Sequence, residues 1–251
     1  MATTKIDWRD SYRSFQNTNE NFEFLCSLLD NCKTKALAMA ALKEFTGGLS
    51  SPSKMPSFSY NIPAWECKQG AKLMKVAGST CSSCYAMKGR YGFPNVKNAM
   101  YKRFHLISKV MWVEAMVLEI AMTEKSGYFR WHDSGDIQDN SHLDKIVSIA
   151  ALLPQIKFWL PTREYKILDK YEGIIPQNLV VRFSAHLIDS YKEVSKKQHK
   201  SVVVSKETNF DSMELKNSVI CHATRADSSH KCESCRACWD ADVETVAYLK
   251  H

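Results

Sequence analysis

No run of about 18 uninterrupted apolar residues occurs in the 251-residue sequence, so no membrane-spanning helix is expected. The first residues, MATTKIDWRD, lack the apolar stretch of a signal peptide, and the expectation is a cytoplasmic, reducing setting. Glycine (9) and proline (7) are few, while hydrophobic residues make up 45% and charged residues 24%. That composition excludes collagen, a wholly disordered chain and a simple coiled coil. A chain of this length buries a real core and needs no disulfide staples. No Walker loop, no GxGxxG and no HExxH is present, and there is neither internal repeat nor low-complexity tract.

Cysteine, by contrast, is plentiful: there are nine. In a reducing compartment clustered cysteines are expected to hold metal or do chemistry rather than pair. The net charge of +7 is also uneven. From Glu66 to Val110 nine basic residues (Lys68, Lys72, Lys75, Lys88, Arg90, Lys97, Lys102, Arg103 and Lys109) face one acid, Glu66. Such a local field suits an anionic partner, although a solvated lysine-rich face would read the same way.

Residues 1–20 are polar and read as loosely held. Apolar spacing predicts one helix over Asn21–Phe45, stopped by Gly47 and Gly48, then a linker over Ser50–Pro56. A second long helix is predicted over Asn95–Glu124. Six short apolar runs read as strands: SFSYNI (57–62), YFRWH (128–132), IKFWL (156–160), LVVRF (179–183), SVVV (201–204) and SVIC (218–221). Helical or loop segments such as 142–153 separate them, which predicts an α/β fold with parallel β/α units. The expected architecture is a partial (β/α)6 barrel-like parallel sheet, with an open sheet as the alternative. The expected divisions are an N-terminal helical extension (1–55), a β/α core (56–220) and a cysteine-rich C-terminal tail (221–251).

Polar side chains follow every expected strand: Trp65-Glu66-Cys67, Asp133-Ser134-Gly135-Asp136, Thr162-Arg163-Glu164, Ser184-Ala185-His186, Ser205-Lys206-Glu207 and His222. In parallel β/α folds that edge is where ligands bind. Arg163 suits a carboxylate or phosphate and Glu164 a ribose hydroxyl, with a surface ion pair as the plainer reading. His132, beside Asp133 and Asp136, reads as a site lining.

The tail cysteines Cys221, Cys232, Cys235 and Cys238 are separated by ten, two and two residues. Closely spaced C-x2-C-x2-C thiolates resemble iron–sulfur ligation, whereas structural zinc usually takes two separated pairs. Four thiolates complete a 4Fe–4S cluster; zinc is the alternative. Cys67, Cys81 and Cys84 form a second set. Three thiolates leave one iron of a cubane free for a small ligand such as S-adenosylmethionine (SAM), or for a histidine, an aspartate, another cysteine or water. Cys26 and Cys32, six apart in the first helix, read as packing residues, with either available as a fourth ligand. Tyr85 and Trp239 read as solvent shields for the clusters.

The segments SKMPSFSYNIPAWECKQGAKL, GSTCSSCYAMKGRYGFPNV, YFRWHDSGDIQ, FWLPTREY, NLVVRFSA and KCESCRACWD, with the terminal Lys250-His251, resemble the gene product 88 family of tailed phages. The resemblance implies a bacteriophage origin and the host cytoplasm, and supplies no reaction. A looser likeness is to the radical SAM superfamily, which has a partial (β/α)6 barrel, a three-cysteine 4Fe–4S cluster after the first strand and, in some members, a C-terminal auxiliary cluster. That likeness implies SAM at the first cluster, held by Asp133, Ser134, Asp136, Arg163 and Glu164, and a host reductant protein as electron donor. The usual motif is C-x3-C-x2-C; here the first gap is 13, and Tyr85 follows the last cysteine rather than preceding it. The expected activity is radical SAM-like, on a nucleic acid or nucleotide. The alternatives are a non-catalytic iron–sulfur or zinc protein that binds nucleic acid and modulates host transcription or replication, and an electron-transfer or redox-sensing protein.

Overall fold

A computed structural model describes residues 7–213 and 215–250. The six expected strands all form: β1 Phe58–Tyr60, β2 Tyr128–Trp131, β3 Lys157–Thr162, β4 Leu179–Ile188, β5 Lys200–Val204 and β6 Ser218–Ile220. A seventh, β7 Thr245–Leu249, was not anticipated. Every pairing is parallel, in the order β1-β2-β3-β4-β5-β7-β6. The last strand in the chain inserts between β5 and β6, so the tail is woven into the sheet. β1 and β6 are its two edges among the described residues.

Alternation along the strands gives the sheet two unlike faces. Phe129, Trp131, Phe158, Leu160 and Val181 join the main core, packed with Phe22, Leu25, Leu29, Ala38 and Leu42. Those last five lie on α1 (Glu20–Asp30) and α2 (Lys35–Thr46). At the centre of this layer is α5 (Trp112–Thr123), buried at Trp112, Ala115, Met116, Val117, Leu118, Ile120 and Met122. A helix apolar on nearly every side has to be wrapped on every side, and α1, α2 and α6 (Asn140–Leu152) supply the wrapping. The opposite face presents Tyr128, Arg130, Trp159 and Arg182, and the tail packs there: Trp239 sets its ring edge-on to Tyr128 and Trp159 at 5.4 and 5.3 Å and donates to the Phe129 carbonyl at 2.8 Å.

Three expectations are corrected. The helix expected over Asn21–Phe45 is two: α1 ends at Asp30, and Thr34 starts α2 by accepting the Leu37 amide. The helix expected over Asn95–Glu124 is also two, α4 (Pro94–Leu106) and α5, separated where Met111 turns left-handed at φ 66°. Residues 8–15 are not loose: they form two 3-10 turns, and fully buried Tyr12 donates to Asp30 Oδ1 at 2.6 Å. Residues 1–6 and His251 lie outside the described residues. No described helix is long and apolar enough to cross a membrane. Cys26 is buried in the main core and Cys32 packs against it.

Candidate functional site

Cys67 closes a 3-10 turn just beyond β1 and begins α3 (Lys68–Leu73). Cys81 and Cys84 lie on the next such turn, Thr80–Ser83, and its cap. Two ties hold this excursion on the C-terminal edge of the sheet. Glu164, just after β3, accepts the Gln69 amide at 2.6 Å. Residues 78–79 pair with the end of β4, where the Ile188 amide donates to the Gly78 carbonyl at 2.9 Å. The three cysteines are thereby neighbours, and burial together with their mutual proximity pushes the Cys67 thiol well up. Gly70 sits in the gap between them. A Cβ there would stand 2.8 Å from Cys67 Cβ, 3.7 Å from Cys67 Sγ and 3.9 Å from Cys81 Sγ.

The loop after β2 forms the adjoining wall. His132 is left-handed (φ 57°), and Gly135 (φ 84°) lies so close to β1 that a Cβ would meet the Ile62 carbonyl at 2.8 Å. Asp133 is saturated, accepting from Ser59, from Asn61 at 3.3 Å and from Tyr91 at 2.8 Å. Asp136 takes Thr162 Oγ1 at 2.6 Å and the Arg163 and Ile137 amides at 2.8 Å. Burial without a cationic partner still raises its carboxyl from 3.8 to about 6. Ser134 Oγ, Arg163 Nε, His186 Nε2 and both ring nitrogens of His132 are buried with no hydrogen-bond partner. Such orphans are costly unless something meets them. His186 stacks on Tyr165 at 4.5 Å, and Arg163 lies close enough to Cys81 to oppose the rise of its thiol. The residues expected around SAM thus share one edge with the three cysteines. Asp133, Asp136 and Glu164 are already engaged by the protein, while Ser134 and Arg163 hold free polar atoms.

The four tail cysteines line one small pocket, together with Val219, His222, Ala223, Ala237, Trp239 and Val246. Burial raises Cys221 and Cys232, and pushes Cys238 up to about 12. Cys238 Sγ also lies 3.3 Å from the Tyr248 hydroxyl. Arg182 fixes the backbone beneath the pocket. It is fully buried and donates to the carbonyls of Cys238 (3.0 Å), Ala237 (2.8 Å), Asp240 (2.7 Å) and Glu244 (3.3 Å). It was missed from the sequence because one arginine in an apolar strand carries no spacing signal. Arg130 was noted only as part of a strand end. It lies over Trp159 at 4.4 Å, donates to the Tyr85 hydroxyl at 3.3 Å, and is near enough to Cys232 and Cys238 to oppose part of the rise of their thiols. It therefore connects Tyr85, the residue after Cys84, with the tail cysteines. Among the described residues, no three His, Cys, Asp or Glu side chains converge as the ligands of a single ion would.

A family model described as Gene product 88 matches residues 27–241. No curated protein and no solved structure matches the chain.

Proposed function

The chain belongs to the gene product 88 family, and from that premise we propose that it is an iron–sulfur protein with two 4Fe–4S clusters and radical SAM-like chemistry at the first. The observation that carries the reading is the partition of nine cysteines. Three lie near one another at the C-terminal edge of a parallel sheet, four line one pocket, and two pack in the core.

The donor set fits such clusters. Thiolates around a pocket suit a polynuclear centre, whereas a lone zinc ion draws four ligands onto one point. Gly70 leaves open the space between Cys67 and Cys81 that a side chain would fill. Strands β1 to β5 are added in sequence on one side, the order a partial barrel would require. Cys67, Cys81 and Cys84 would hold the first cluster, which with SAM bound would supply one-electron, hydrogen-abstracting chemistry. Around it, Arg163 would neutralise a carboxylate, Ser134 Oγ would meet a polar atom, and saturated Asp133 and Asp136 would hold the wall rigid. Arg130, which connects Tyr85 with the tail cysteines, would offset negative charge there. The likeness to the radical SAM superfamily rests on this order of parts, and a bacteriophage origin with action in the host cytoplasm rests on the family.

Iron and sulfide quantitation on anaerobically purified protein tests the first claim, with about eight iron atoms per chain expected for two cubanes. Stoichiometric zinc in colourless protein overturns it. Incubation with SAM and a strong reductant tests the second, and intact clusters that yield no 5′-deoxyadenosine would reduce the reading to a structural or electron-carrying role.

A further inference from the structure

The stretch that brings the three cysteines to the sheet edge also builds a surface. No aspartate or glutamate occurs from Cys67 to Val113, a span that holds nine lysines and arginines. Some of these are structural: Arg103 is buried against the Gly48 carbonyl, and Lys102 pairs with Glu44 at 3.1 Å. Others stand in solvent, among them Lys72, Lys75, Lys88, Arg90 and Lys97. Aromatic side chains alternate with them along Tyr85-Ala86-Met87-Lys88-Gly89-Arg90-Tyr91-Gly92-Phe93. Tyr85 is 59% exposed and Phe93 55%. Burying such rings is the ordinary outcome of folding, and here the turn that carries Tyr85 (85–87) packs on the next (89–92), which Phe93 joins to α4, without covering either ring. Tyr85 is pinned by its hydroxyl, which donates to the Asp133 carbonyl, so the exposed part of its ring is held in a fixed position. Tyr91 is likewise tethered to Asp133 at 2.8 Å, with its ring 5.9 Å from that of Tyr85.

Cations track a phosphate backbone, and fixed, exposed rings offer faces on which unpaired bases stack. A duplex keeps its base faces buried and would leave the rings unused. We propose that this surface, on the rim of the three-cysteine site, binds single-stranded nucleic acid. The inference names the substrate class of the proposed radical chemistry and rests on that chemistry only for the step after binding.

The test is fluorescence anisotropy with labelled oligo(dT) and oligo(U), and with a duplex of the same length, over a range of salt, on the full chain with its iron content measured in the same sample. Single strands should bind more tightly than the duplex. Log affinity should fall with log salt, each phosphate contact adding about 0.7 to the slope. Lys88→Glu with Arg90→Glu should reduce that slope by at least about 1.4. Phe93→Ala should weaken binding about 5- to 150-fold with little change in slope. Both sites are solvent-exposed, and circular dichroism checks that the variants fold. Equal or tighter binding of the duplex overturns the inference. So does equal competition by polyglutamate, which would mark the face as a dock for an acidic protein, and so does a Phe93→Ala variant that binds as the parent does. Iron-free protein that still binds single strands would defeat the cluster reading and leave the surface standing; iron-loaded protein that binds none would do the reverse.

Discussion

Gly70 shows how little of a site its most visible residues can convey. The cysteines were legible because spacing is a property of sequence, and so was the run Asp133–Asp136 at a strand end. Gly70 was not, since its meaning depends on two sulfurs that only folding brings near it. Gly70→Ala would place a methyl group 2.8 Å from Cys67 Cβ, an overpacking that costs about 1–3 kcal/mol. If the proposed two clusters are present, the expected outcome is folded protein that has lost the first and kept the second, seen as roughly half the iron; undiminished iron would remove Gly70 from the site. Asp136 makes a different prediction. Burial raises its carboxyl from 3.8 to about 6. An acid that holds its proton more tightly in the folded state than in the unfolded favours folding at low pH, and that contribution fades as pH rises from about 4 through about 6. The shift is worth at most roughly 3 kcal/mol. Asp136→Asn should therefore gain on the parent in stability between pH 4 and pH 7, read as the difference between their urea unfolding curves. A difference that stays constant over that range would mean that Asp136 does not titrate there.

Elements were legible where a periodic pattern runs without interruption and illegible where tertiary structure breaks or completes one. All six expected strands form. The long helices each split, because the apolar spacing continues across Asn31–Thr34 and across Met111 while the backbone does not. β7 was hidden because its five residues follow a segment whose cysteines dominate the reading, and its place between β5 and β6 is set by pairing alone. Arg182 on β4 carries the energetic consequence. A guanidinium shut away from water is tolerable here because four tail carbonyls accept from it. Arg182→Leu fills part of the volume and strands those carbonyls, at about 1–3 kcal/mol for each that stays unpaired. The tail between Cys238 and β7 should loosen. Protease should then cut near residues 237–244 at a rate the parent does not show, and any iron held in the tail pocket should be lost first. A variant with the parent's cutting pattern and full iron would show that the four carbonyls find other partners.

Across the whole molecule, the two cysteine groups are tied to one parallel sheet. The first joins the segment after β1 to the ends of β3 and β4, through Glu164–Gln69 and the pairing of residues 78–79. The second ties β6, which carries Cys221 at its end, to the segment that leads into β7. The cysteines of each group come from one stretch of 18 residues, 67–84 and 221–238, so a metal bound at either would tie down a local excursion of the chain against the sheet. Metal binding that requires the folded arrangement adds its free energy to folding. Removing the metal should therefore do more than bleach the protein. The main core, built from α1, α2, α5, α6 and β1 to β4, has no cysteine ligand within it and should persist. The smaller core of Ala185, Val194, Val202, Val204, Phe210 and Ala247 leans on β5 and β7 and should open. Hydrogen exchange on metal-loaded and chelator-treated protein would separate the two. Protection is expected to fall across residues 200–250 and in the 67–93 excursion, and to hold in α5 and β2. Uniform loss of protection would mean a single cooperative unit held by metal throughout, and no loss anywhere would mean that the cysteines do not support the sheet edge.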